Sequence, residues 1–220
     1  VRESGTTDPV RRLATVLALA DSRLPVGGHV HSGGVEEAVA SGSVRDVATV
    51  ELYLHRRIRT TGLVTASLAA AVCAGDLDQV RAEAEADART PAPAARAASR
   101  AQGRGLARLA RQLWPQQDWS QLGATPHLST VFGVVGGAAA LTPPEIAGVV
   151  VYTTLTGAAT AAQRLLALDP AAIAGCTIRL ADICDQVAAQ AVIGLAALSD
   201  PLQDAFAERH VRREMPLFAS

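Results

Sequence analysis

Lysine is absent from this 220-residue chain, and every basic side chain is arginine. That absence removes the P-loop lysine, Schiff-base chemistry and a lysine general base together. Aromatic residues are scarce, at 3% against 49% hydrophobic residues overall. The core must therefore be built from Ala, Leu and Val, which suits closely packed helices better than sheets. Charge imbalance is also lacking: the formal net charge is −1, which argues against a general affinity for nucleic acid. Cysteine is sparse and odd in number, with Cys73, Cys176 and Cys184 in no disulfide or zinc pattern. Such a set fits a reducing cytoplasm, and Cys176 and Cys184 read as core residues. The uncharged run from Ile146 to Gln163 falls short of the roughly 20 residues that a membrane span needs.

What is present concentrates in one stretch, Asp21 to Glu37, reading D-S-R-L-P-V-G-G-H-V-H-S-G-G-V-E-E. Pro25 fixes φ and removes a donor, and Gly27, Gly28, Gly33 and Gly34 open backbone conformations closed to other residues. Ser32 reads as an N-cap, with Glu36 and Glu37 in the first turns of the helix that follows. The stretch is a shaped corner between two helices.

The rest of the chain parses into helices. Residues 1–10 read as a polar tail, 11–209 as one all-α domain, and 210–220 as a C-terminal tail. Arg11 and Arg12 before the apolar run to Ala20 resemble a signal peptide. Leu13, Val16, Leu17 and Ala20 fall on one helical face, however, and favour a short amphipathic helix. Asp46 starts a helix with Leu52, His55 and Ile58 inward and Arg45, Arg56, Arg57 and Arg59 outward; Thr60-Thr61-Gly62 interrupts it. Leu63 to Ala74 is apolar and closed by Gly75. A charged helix at 77–89 carries an Arg81–Glu85 pair, and Pro91 and Pro93 precede a long helix at 94–113. Thr142-Pro143-Pro144-Glu145 is a helix start, another helix runs from Pro170 toward Leu198, and Asp200-Pro201 begins the last. Periodicity offers no strand, repeat or sustained heptad. The expected fold is a single-domain helical bundle of roughly eight to ten helices.

Within the long helix, Arg96-x-x-Ser99-x-x-Gln102-Gly103 puts Ser99 and Gly103 one turn apart, where small side chains admit a close neighbour. Gly103 in a helix interior costs about 1 kcal/mol relative to Ala, and close contact is the plausible offset. Arg96, Arg100, Arg104, Arg108 and Arg111 form a basic stripe, either a solvated face or a docking face for an acidic partner.

Four segments together resemble the urease accessory protein F family. They are D-S-x-L-P-x-G with H-S-G-G and a glutamate (Asp21, Pro25, Gly27, His31, Ser32, Gly33, Glu36), and R-x-x-S-x-x-Q-G with its flanking arginines (Arg96, Ser99, Arg100, Gln102, Gly103, Arg104). The others are the segment from Pro126 to Leu141, with a histidine, Phe132-Gly133 and further glycines, and a tail from His210 ending in Leu217-Phe218-Ala219-Ser220. The resemblance implies a non-enzymatic, homodimeric helical chaperone. It would bind the urease GTPase (protein G), the accessory protein D or H, and apo-urease during nickel insertion. The motif residues and the tail would serve partner binding, and no cofactor would be resident, nickel being handled only in transit.

Two rival readings stay open. One is a small helical hydrolase using His31, Ser32 and Glu36, since Val30-His31-Ser32-Gly33-Gly34 approaches G-x-S-x-G. The other is a helical regulatory module for an unrelated acidic protein. A two-histidine chelate at His29 and His31 is disfavoured, because alternate residues of an extended segment point to opposite sides.

Overall fold

Helix α4, Leu63–Ala74, is so rich in Ala and other apolar residues that it can be enclosed on nearly every side, and the bundle is built around it. The computed structural model describes residues 9–24 and 32–212. In chain order it comprises α1 (Pro9–Ala20), α2 (Val35–Ala40), α3 (Val47–Arg57), a π turn (Ile58–Gly62), α4 and α5 (Gln79–Arg89). Then come α6 (Pro93–Leu113), α7 (Leu128–Ala138), α8 (Pro143–Leu166), α9 (Pro170–Arg179), α10 (Ala181–Ala191) and α11 (Pro201–Val211). Among the described residues there is no strand, so the expected all-α bundle is what forms. Because α3, the π turn and α4 run on without a break, the chain makes ten helical rods from these segments.

Two helices sandwich α4. On one side lies α7, whose glycines set the distance: a Cβ on Gly133 would stand 2.5 Å from Val72 Cβ and 2.7 Å from the Ala69 carbonyl. On the other lies α8, with Val150, Leu155, Ala158 and Ala162 buried. Helix α6 backs α7, α10 covers α4 and α8, α1 and α2 rest on α8, and α11 bridges α2 and α6. Helix starts follow local chemistry. Asp46 accepts from Thr49 N at 2.8 Å, and Thr142 and Glu145 form a capping box behind two prolines. Gly75, at φ +81°, closes α4 as a left-handed cap.

Several expectations change. Thr60-Thr61-Gly62 does not interrupt the rod; it widens it into the π turn, with Thr60 Oγ1 donating to the Arg56 carbonyl at 2.9 Å. Packing on both flanks outweighs the helix-breaking tendency of one glycine, which is about 1 kcal/mol. In α3 the buried face is Val50, Leu54 and Ile58, while Leu52 is 71% exposed. In α1 the buried residue is Leu19, and Leu13 and Leu17 face outward. Both stripes have helical spacing, and the position of α8 chooses between them. The span from Pro170 to Leu198 is two helices with a break at Leu180, and the second ends at Ala191. Glu85 pairs with Arg89 instead of Arg81. Ser32 does not cap α2; the cap position belongs to Gly34, at φ +87°.

Candidate functional site

The described part of the glycine-rich corner is fastened to α3 and α11 by buried polar groups. The Gly33 carbonyl accepts from Tyr53 Oη at 3.0 Å and from Arg57 Nη1 at 2.6 Å. Gly33 sits at φ +58°, and a Cβ there would lie 2.4 Å from Arg57 Nη2, so any other residue would displace the guanidinium. Arg57 Nη1 also donates to Gln203 Oε1 at 2.8 Å, and Thr61 Oγ1 donates to the same oxygen at 3.2 Å. Glu36 on α2 meets His210 Nε2 on α11 at 2.7 Å, with both side chains almost wholly buried. Arg56 grips Asp200 through a fork, Nε to Oδ2 at 2.6 Å plus a second contact from Nη2 to Oδ1. Asp200 also caps α11 by accepting from Gln203 N at 3.3 Å. Phe206, buried between these bonds, fills the space beside Gly34.

Asp21 stands at the corner's entrance and binds Arg23, whose side chain and backbone N–H both donate to it. Those hydrogen bonds hold the Asp21 carboxyl at about 2, well below the usual range. Pro25, Gly27 and His31, like Leu217, Phe218 and Ser220 in the tail, lie outside the described residues. His210, expected at the head of a tail, is inside α11 and buried against Glu36.

A second polar cluster locks α5, α6 and α7 together. His127, at the N-cap position of α7 and 1% exposed, is committed at every polar atom of its ring and amide. Its Nε2 is 2.9 Å from Asp87 Oδ1, its Nδ1 is 3.0 Å from Ser99 Oγ, and its backbone N–H donates to Glu83 Oε1 at 2.8 Å. Ser99 Oγ also accepts from Leu128 N at 3.2 Å. Arg100 reaches Asp87 Oδ2 at 2.8 Å, Glu83 Oε2 at 3.2 Å and the Thr125 carbonyl at 2.7 Å. Arg96 donates to the carbonyls of Thr90 and Pro91. Burial pushes the Asp87 carboxyl up, but the bonds from His127 and Arg100 outweigh it and the net shift is downward. A Cβ on Gly103 would lie 2.1 Å from the Pro126 carbonyl, so the close neighbour of α6 is the backbone entering α7.

The R-x-x-S-x-x-Q-G motif is thus largely an internal joint. The basic stripe divides: Arg96 and Arg100 are tied inward, whereas Arg104, Arg108 and Arg111 are exposed and make no ion pair among the described residues. Ser99, His127 and Asp87 form a serine–histidine–carboxylate chain. Its histidine is sealed from solvent and its serine is bonded to the α7 backbone, so the chain serves as a strut. Sequence reading took in Ser99 and Arg100 but missed Glu83, Asp87, Asp200 and Gln203, because bonds spanning up to 146 residues leave no local spacing signal. His127 was foreshadowed only as the histidine of the Phe132-Gly133 segment.

Between the two clusters lies a cavity of about 280 Å³. Its wall includes Ser32, Arg57, Gln102, Thr154, Leu198 and Gln203. No group of three or more His, Cys, Asp or Glu among the described residues could hold a metal ion. Cys176 and Cys184 are buried, and burial pushes both thiols up, that of Cys184 to about 11, as befits core residues. No helix among the described residues is long and apolar enough to cross a membrane.

The UreF family profile matches residues 44–181. A protein of Mycolicibacterium vanbaalenii named urease accessory protein UreF is 65% identical over 211 residues, covering 94% of this chain and 99% of the relative. Proteins of the same name from Mycobacterium sp. (strain JLS) and Mycobacterium tuberculosis (strain H37Rv) are 65% and 58% identical, each over 94% of this chain and 99% of theirs. A family of accessory proteins leaves no place for a hydrolase at Ser32, whose hydroxyl is buried with no hydrogen-bond partner among the described residues. A profile match across the central helices and such identity over nearly the whole length leave one conclusion: the chain belongs to the UreF family of urease accessory proteins.

Proposed function

We propose that this chain acts in the cytoplasm as a homodimeric scaffold of urease metallocentre assembly, joining the urease GTPase (protein G) to the D/H accessory protein and to apo-urease. Nickel is cargo of that assembly and has no resident site here. The observation that carries the reading is the 58–65% identity, over 94% of the chain, to proteins named urease accessory protein UreF. The geometry is in keeping with a protein that works by association: the polar residues of the motifs are largely bonded inward. Arg104, Arg108 and Arg111 remain exposed, as do apolar side chains such as Leu13, Leu17, Leu52 and Ile178. An arginine row of this kind suits carboxylate-bearing partner surfaces.

The test is co-expression of the tagged chain with the GTPase, the D/H protein and apo-urease, followed by capture and by assay of nickel in the recovered urease. Capture of the GTPase and the D/H protein together, with nickel loading that depends on this chain, is the expected result. Full nickel loading in its absence, or capture of none of the three, would overturn the proposal.

A further inference from the structure

Arg57 is a half-buried cation whose described bonds go to neutral groups, the Gly33 carbonyl, Gln203 Oε1 and the Tyr53 phenol; among the described residues it has no carboxylate partner. Its Nε–H is buried and has no acceptor among the described residues. Two neighbours in the same cavity wall share that condition. Gln203, 8% exposed, has an Nε2 with no partner among the described residues, and Ser32, 1% exposed, has a hydroxyl in the same condition. Leaving a buried donor unsatisfied costs on the order of 1–3 kcal/mol, and an uncompensated buried charge costs more. Three such groups, from the corner, the start of the π turn and α11, are a poor way to stabilise a bundle.

The chemistry of the orphans specifies what they would take. A guanidinium N–H and an amide NH₂ can only donate, and a serine hydroxyl can donate as well. A ligand matching them presents oxygens as acceptors and carries negative charge. The other charged groups of the wall do not supply it. Asp200 is held by Arg56 and Asp21 by Arg23, while Asp204 accepts from the Ala92 N–H. We propose that the cavity beside the π turn binds a small oxyanion, carboxylate or phosphate in type, through Arg57, Gln203 and Ser32. Bound there, the anion ties together segments distant in sequence and stiffens the seat of α11. The inference does not rest on the partners proposed above.

The test compares the purified full chain in sodium acetate, in sodium phosphate and in sodium chloride of equal ionic strength, by melting temperature and by calorimetric titration. A saturable rise in melting temperature with acetate, phosphate or both, beyond that in chloride, is expected; which anion acts assigns the carboxylate or the phosphate class. Gln203→Glu keeps an oxygen for Arg57 and Thr61 but replaces the donor with a charge that repels the anion, so it should abolish the response. Ser32→Ala should weaken affinity roughly tenfold, and Arg104→Ala should not change it. Equal behaviour in all three salts, or a response that survives Gln203→Glu, would overturn the site, the second outcome meaning an adventitious ion only. Should Gln203→Glu fail to fold, unchanged affinity in Ser32→Ala overturns it equally.

Discussion

At the scale of single residues, the most informative positions are small ones whose partners are backbone. Ser99 looks from its spacing like a packing serine, for which alanine is a mild change. In the fold its hydroxyl meets both His127 Nδ1 and Leu128 N. Ser99→Ala should therefore strand a buried ring nitrogen and a backbone donor, and cost about 1–3 kcal/mol. Gly103→Ala should cost a similar amount or more, because its Cβ would stand 2.1 Å from the Pro126 carbonyl, which cannot swing aside as a side chain would. Urea denaturation of both variants checks this: each should lower the midpoint with an unchanged slope. A Gly103→Ala protein of wild-type stability would mean that α6 and the turn before α7 do not meet this closely.

At the scale of elements, α11 shows how a short helix is kept in place. Its ends and middle are each tied by a buried polar group: Asp200 to Arg56, Gln203 to Arg57, and His210 to Glu36. The pair of His210 and Glu36 is the most enclosed, so removing one partner takes this bond from a buried polar group. His210→Leu should destabilise the protein by about 3 kcal/mol. The loss should concentrate in α11, read as faster amide hydrogen exchange over 201–211, while α4 and α8 keep their protection. Uniform loss of protection across all helices would show instead that α11 unfolds only with the whole bundle. The π turn is the opposite case. It is an irregularity inside a rod, and it brings Arg57 and Thr61 together on Gln203 Oε1. Such widenings are frequent at functional sites, which agrees with the cavity beside this one.

At the scale of the whole molecule, an Ala- and Val-rich core brings the helices close, and the motif polar groups largely bond across those contacts. Under the proposed function, partner binding falls to exposed surfaces and to the C-terminal residues. Removing residues 213–220, with Met215, Leu217 and Phe218, should abolish capture by the D/H protein while leaving the melting temperature nearly unchanged. A truncated chain that melts much lower yet still captures that partner would place these residues in the protein's own core. What the sequence determined by itself was local: the capping box at Thr142 and Glu145, the Asp46 cap, the Gly75 stop and the all-helical class. Each depends on neighbours within a few residues or on composition. The four family segments were legible in the same way, as short ordered patterns. Only the tertiary structure decided that Leu19 and not Leu13 is buried, that Leu52 faces outward, and that Thr60-Thr61-Gly62 continues a helix. It alone joined Ser99 to His127 and Arg57 to Gln203. A helix that is apolar on several faces offers more than one stripe at the same period, and only the neighbour it meets selects among them. A buried polar group likewise takes the partner that the fold sets opposite it, however far away along the chain.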